Sequence, residues 1–326
     1  MLLTNLRGTS TVTDTEVSGS TEDNVRVINN SGTLGGITFS GCTIKNNSTT
    51  SGNVGISVQS TQTAVMNGVV IDGCTFTGNR SVSLAGDTAD SSQLAITARN
   101  NVITAGSPNQ GNQGIEFASS LTSQITYDID SNKVGTDGTT NAPLKSTGIN
   151  VFASNDSTST GKVRNNTVVN AGAGQSGSGI TVSQAVNAIL RANVSGNTVS
   201  NVGLDFGIEV DGGSSSNPSL NPHAVPTDVA LTGNNVSVLP GALDAIRAQA
   251  RNLDTMCARI SANTTSAGGT GFFGLFVRQA QTAVFNLEGL SGAVNTYLTA
   301  QNPGAATVGG AGTISSAPAN SCNIPN

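Results

Sequence analysis

Apolar residues two apart recur behind a glycine at intervals along the chain. The tetrads are Gly36-Ile37-Thr38-Phe39, Gly55-Ile56-Ser57-Val58, Gly114-Ile115-Glu116-Phe117, Gly148-Ile149-Asn150-Val151, Gly179-Ile180-Thr181-Val182 and Gly207-Ile208-Glu209-Val210. Weaker copies are Ala245-Ile246-Arg247-Ala248 and Gly274-Leu275-Phe276-Val277. This alternation predicts short strands with one face buried. A second, turn-like marker is written SGCTIKNN at 40–47, DGCTFTGN at 72–79, RNNTVVN at 164–170, VSGNTVSN at 194–201 and TGNNVSV at 232–238. Its key position falls at Cys42, Cys74, Asn100, Asn132, Asn166, Asn197, Asn234 and Asn263, at intervals averaging about 32 residues. Further alternating runs, such as 125–129 and 229–231, lie between the markers. Each period therefore reads as about three short strands joined by bends. Helical periodicity is scarce. GALDAIRAQA at 241–250 has a helix-compatible composition, but its place in the repeat assigns it to a strand.

Three strands per period, stacked period on period, predict an all-β, single-stranded parallel β-helix of about nine coils. Its strands pair with the coils above and below at about 4.8 Å, giving a rod roughly 40–45 Å long. The bends need residues that tolerate left-handed backbone, which Asn does. When one bend is stacked in every coil, its amides align into a ladder like those of stacked parallel sheets. Cys42 and Cys74 take the same ladder position in neighbouring coils. The repeat spans 31–282. Residues 1–30 are expected to form an irregular first coil capping the N-terminal end. Residues 283–326 break both markers and are expected to supply last strands and a C-terminal cap, because open strand edges need cover.

Composition narrows the partners. Of 326 residues, 10 % are charged and 3 % aromatic, so the charged faces of a helical protein cannot be built. The net charge of −5 comes without a basic cluster, which argues against nucleic acid. No apolar run approaches the roughly 18 residues of a membrane span. The opening MLLTNLRG lacks the apolar core of a signal peptide, and is read as the start of a piece cut from a larger precursor. Neighbouring domains of that precursor are then natural partners.

The chain resembles the right-handed parallel β-helix repeat proteins of bacterial surfaces and pectate-lyase-like enzymes. The likeness rests on the SGNTVSN-type turn followed by G-I-x-V from about 30 to 280. The run MCARISANTT, then GLFVRQAQTAVFNLEG, then a Cys near the terminus resembles the C-terminal end of large secreted bacterial β-strand-repeat proteins. That second likeness implies a location outside the cell or on its surface, and no activity.

Four cysteines allow three pairings. Thiols stacked in a ladder stay near the coil spacing, farther than a disulfide's Cβ separation of about 3.8 Å. Cys42 and Cys74 are accordingly read as stacked thiols and Cys257 with Cys322 as the disulfide, which fits an oxidising exterior.

The outward residues of the G-I-x-V strands should form one column: Thr38, Ser57, Glu116, Asn150, Thr181, Glu209, Arg247 and Phe276. Glu116, Asn150 and Thr181 are candidate ligand-binding residues, for a glycan or a cell-surface ligand. Glu209 and Asp211 alternate on FGIEVDGG, so both should point outward about 6–7 Å apart, a spacing that suits an acid–base pair on a sugar bond. Arg247 should stack one coil along from Glu209. The plainer alternative is a surface ion pair beside a solvated aspartate. The paired aspartates, Gly-His-Gly and Arg-x-Lys of polygalacturonases are missing, as is the Ca²⁺-aspartate cluster of pectate lyases. His223, the one histidine, lies in the Pro-rich insertion NPSLNPHAVP, where an exposed loop role or ligand contact is expected over catalysis. Asp87, Asp90, Asp137 and Asp156 lie in or beside insertions and offer oxygen donors of the kind Ca²⁺ takes, but none forms a Ca²⁺-binding nonapeptide. No cofactor is expected. The composition and repeat suit a rigid rod with polar loops, and with the location that the resemblance implies they give an extracellular structural or adhesive module as the expected function. A polysaccharide lyase or hydrolase built on the outward carboxylates is the alternative, and a trimeric phage-type spike a second.

Overall fold

The computed structural model describes residues 1–48, 53–105, 113–139, 144, 146–169, 177–213, 226–269 and 271–326. The chain winds through three sheets in turn, so that every third strand belongs to the same sheet. Two sheets hold eleven strands and the third holds ten, all paired in parallel. The result is a parallel β-solenoid roughly 50 Å long at the spacing of parallel strands. Leu2–Thr4, Gly8–Thr13 and Glu16–Ser18 already supply one strand to each sheet. At the other end, Val308–Ala311 and Ile314–Ala317 complete the first and second sheets. Residues 246–250, with their helix-compatible composition, form the strand Ile246–Ala250. The one α-helix among the described residues is Val294–Gln301. It is inserted at a corner, between Val284–Glu288 of the second sheet and Gly304–Ala305 of the third. No helix among the described residues is long and apolar enough to cross a membrane.

The interior follows from the alternation. Ile149 and Val151 face inward on one strand, and Ile180 with Val182, then Ile208 with Val210, stack above them in register, all fully buried. Burying each such side chain contributes about 1.5–3 kcal/mol. Where a large side chain enters, a neighbour is small. Tyr127 points inward, and its register partner is Gly161, where an added Cβ would stand 2.5 Å from the Tyr127 ring.

The corner between second and third sheets carries the ladder, with one correction to its membership. The sequence assigned Asn100, but Asn100 is exposed and donates to Asp72 at 2.9 Å, whereas Asn101 is buried in the ladder. In the Asn100-Asn101 pair only the second side chain points inward. The left-handed residue of this bend is also one place earlier than expected: Gly41, Gly73, Asn100, Ser131, Asn165, Gly196, Gly233 and Ala262 have φ between 56° and 65°. The residue after each of them is the ladder residue. Asn197 shows the pattern. Its Nδ2 donates to the Val163 carbonyl at 2.8 Å and to Asn234 Oδ1 at 3.0 Å, while its own Oδ1 accepts the backbone and side-chain N–H groups of Asn166. The same bonds join Asn101, Asn132, Asn166, Asn197, Asn234 and Asn263. Asn302, the C-cap of the helix, takes the next place by accepting from Asn263 at 2.9 Å. At the N-terminal end Cys74 and Cys42 continue the column as buried free thiols. Burial pushes the Cys74 thiol up to about 12.

Candidate functional site

Strand register fixes what stands on the outer face of the first sheet. The column runs Arg26, Ser57, Ala85, Glu116, Asn150, Thr181, Glu209, Arg247, Phe276. Thr38 is not in it. Its tetrad belongs to the second sheet, within Thr33–Ser40, and Arg26 of Val25–Asn29 fills the place. A one-period signal could not tell which of three sheets an isolated G-I-x-F copy serves. Glu116, Asn150 and Thr181 occupy successive strands, and Asn150 Nδ2 donates to Glu116 at 3.4 Å.

Glu209 and Asp211 both leave the outer side of Ile208–Gly212, but their surroundings differ from the expectation of two open carboxylates. Asp211 is 4 % exposed and is gripped by both Nε and an Nη of Arg251. Burial raises its pKa, and the Arg251 guanidinium opposes that shift. Glu209 is half-buried and accepts from Gln249 at 3.1 Å. Burial, with Asp211 and Asp205 nearby, pushes its carboxyl up to about 7. Arg247 does stack one strand along from Glu209, yet its ion partner is Asp244, at 2.6 Å. Its guanidinium lies over the rings of Phe206 and Phe276, 4.4 and 5.5 Å from their centroids. The expected Glu209–Arg247 surface pair is thus replaced by two pairs in which a buried carboxylate meets a half-buried arginine, Asp211–Arg251 and Asp244–Arg247. Arg251 and Asp244 sit in bends on either side of Ile246–Ala250, where the strand alternation gives no signal.

One further carboxylate sits inside the solenoid. In register order, the residue just before each second-sheet strand is Ser92, Ser123, Ser157, Ala188 and then, two strands on, Asp254. These serines are buried and bond hydroxyls at the ends of first-sheet strands, Ser92 to Thr88 at 2.6 Å and Ser157 to Ser119 at 3.0 Å. Asp254 takes a serine's place there, and its Oδ1 accepts from Thr227 at 3.0 Å and from Gln184 at 2.9 Å. Gln184 reaches it because the intervening residue is Gly212, where a Cβ would lie 2.0 Å from Asp254 Oδ2. Burial pushes the Asp254 carboxyl up to about 7.

Near the N-terminal end, Asp23, Arg26, Gln59, Asp87 and Glu116 line a polar cavity of about 250 Å³. Burial, then Glu116 and Asp23, push Asp87 up to about 6. The four candidate Ca²⁺ donors are dispersed. Asp90 caps the corner after Asp87's strand by accepting from the Gln62 amide, Asp137 closes a local turn on Thr139, and Asp156 is exposed in a different corner. His223 lies outside the described residues. Cys257 and Cys322 are joined as a disulfide. Together with Asp228 they form the one group of three metal-binding residue types that converges among the described residues. Their sulfurs are bonded to each other and are not free to ligate.

Comparison with family models, with curated proteins and with solved structures finds no match to this chain.

Proposed function

We propose that the chain is an extracellular structural or adhesive surface module, a stiff rod that presents its outer faces to a glycan or cell-surface ligand. The observation that carries this reading is the unbroken column of ladder amides, which ties each coil to the next along most of the solenoid. Such a column resists bending and local opening, as amide ladders do in stacked sheets. The Cys257–Cys322 disulfide supports an oxidising location. The ion pairs that consume Asp211, Asp244, Arg247 and Arg251 also fit a face built for rigidity. The test is binding of the fluorescently labelled chain to bacterial and host cells and to a glycan panel. Saturable binding without release of reducing ends or unsaturated sugars supports the module, and absence of binding to every surface leaves only the structural half of the reading.

A polysaccharide lyase or hydrolase is the second reading, favoured by one observation. Glu209, protonated near neutrality, stands on the same strand face as the Asp211 carboxylate, and unequal carboxyls are how acid and base roles are divided. Product release from any glycan that disappears in Glu209→Gln would establish it. Product release that survives this substitution removes Glu209 from the chemistry. A spike assembly would show as a trimer in light scattering.

A further inference from the structure

The outer face of the second sheet holds a peptide. After Ile314–Ala317 the chain turns back and crosses the strands of this sheet at a steep angle, running toward the N-terminal end. Cys322 is bonded to Cys257, an outward residue of Thr255–Ser261, and its amide donates to Glu288 at 2.7 Å. Arg259 donates to Asn320 at 3.1 Å, the Asn323 backbone donates to Asp228, and Asn193 donates to the Pro325 carbonyl at 3.3 Å. The tail is therefore bound mostly by side chains of the sheet acting on its backbone, over the stretch from Glu288 to Asn193.

The same column of outward residues continues past the tail, in register, as Lys162, Asp128, Thr97 and Val70. Here a groove of about 300 Å³ opens, with Pro325 at its mouth. Its floor is apolar and shallow, formed by Val70, Ala95 and the backbone at Gly68 and Gly161. Thr97, Thr126 and Thr160 line it, and their hydroxyls and the Lys162 ammonium make no hydrogen bond or ion pair among the described residues. Asp128 is taken by Arg164 at 2.9 Å, so Lys162 is the group left to meet an anion. The far end is set by irregular pairing, where the register shifts between Leu94 and Ile96 against Val65–Asp72.

We propose that this open half of the face is a docking site for an extended peptide that prolongs the path of the tail. The occupant places one apolar side chain on the Val70–Ala95 floor and one carboxylate at Lys162. The argument is continuity, since the occupied and open halves are one register column on one sheet, and the occupied half already holds extended backbone. The three strand spacings from Lys162 to Val70, about 14 Å, correspond to about four extended residues. A glycan would be expected to stack on an exposed aromatic ring, and the one ring against this groove, Tyr127, is buried beneath it. The proposal rests on the adhesive reading for its biological sense, but its test is separate.

A displayed library of seven-residue peptides is panned on the full disulfide-bonded chain. Enriched sequences are then measured against Thr126→Trp, which fills the groove from an exposed position, and against Lys162→Glu. Thr198→Trp, exposed on the third sheet, serves as the control, and thermal unfolding checks that all variants fold. Enriched peptides sharing an apolar and an acidic residue, with binding at least about tenfold weaker to Thr126→Trp and to Lys162→Glu and unchanged in Thr198→Trp, support the site. Panning that yields no peptide sensitive to Thr126→Trp overturns it, as does a glycan panel in which that substitution abolishes sugar binding instead. Cell binding that is unaffected by Thr126→Trp while no peptide is selected leaves the adhesive module standing and removes this groove from it.

Discussion

An Asn-Asn pair on one bend illustrates how far a single residue's environment controls its weight. Asn100 has left-handed backbone and an exposed side chain, while Asn101 is buried among amide and carbonyl partners. Asn197, in the ladder proper, satisfies the Asn166 backbone N–H, the Asn166 amide, the Val163 carbonyl and Asn234. Asn197→Ala leaves several of these buried groups unpaired and is expected to cost about 2–4 kcal/mol. Asn100→Ala removes one solvent-facing bond and should stay within about 0.5 kcal/mol of the parent. Urea unfolding of both variants checks this, and equal effects would mean that the ladder is not a source of stability. The Asp254 carboxyl is a second case. A serine position has been given an acid, and the missing side chain at Gly212 gives Gln184 room to reach it. Gly212→Ala therefore pushes a Cβ into Asp254 and should destabilise by at least about 1–3 kcal/mol, read by the same denaturation.

At the scale of elements, the corner helix and the tail show two ways of ending a solenoid. The helix Val294–Gln301 interrupts a corner, yet its C-cap Asn302 still fills the ladder, so the third sheet resumes with Gly304–Ala305. The tail covers a face instead of an edge. Its disulfide closes a sequence separation of 65 residues, and the chain-entropy treatment of a loop that size gives about 4 kcal/mol. Cys322→Ser should lower the unfolding midpoint accordingly. Amide exchange at 320–324 should rise before exchange in Thr255–Ser261, because the tail bonds are the first to open. Simultaneous exchange of both segments would show that the tail belongs to the same cooperative unit as the strand it lies on.

For the whole molecule, the buried acids set the dependence on pH. Glu209 and Asp254 titrate near 7 in the fold, against ordinary values of 4.5 and 3.8, and Asp87 near 6. Their folded pKa values are raised, so between about 4 and 7 the folded chain holds more protons than the unfolded one. Their contribution to stability is full at the acid end of that window and is lost as pH rises through 7. Asp72 shifts the other way, held down first by Asn100, and Glu288 follows because Arg259 and the Cys322 amide outweigh its burial. Their contribution is present above their ordinary range and lost as pH falls below it. The melting temperature should therefore be higher at pH 5 than at pH 8. Asp254→Asn and Glu209→Gln should each flatten that difference, whereas a melting temperature that climbs steadily from pH 5 to pH 8 would contradict the assignment.

The sequence by itself determined the architecture. The period near 32, the inward Ile and Val of each tetrad and the recurring Asn specify a stacked parallel solenoid, because a repeated coil must place identical positions above one another. It also marked the Glu116, Asn150, Thr181, Glu209 and Arg247 column correctly, since register follows from the repeat. Only the tertiary structure decided which groups those columns meet. Arg251 and Asp244 come from bends that carry no periodic signal, and they turn the supposed open carboxylate and its surface pair into ion pairs with buried carboxylates. Gln184 meets Asp254 across 70 residues through a gap left by a glycine. The tail lies across the strands and runs back along the stacking axis, in a segment that carries no repeat of its own. Periodicity encodes the stacking axis; contacts made by bends, gaps and returning chain depend on three-dimensional distance, which no one-dimensional pattern contains.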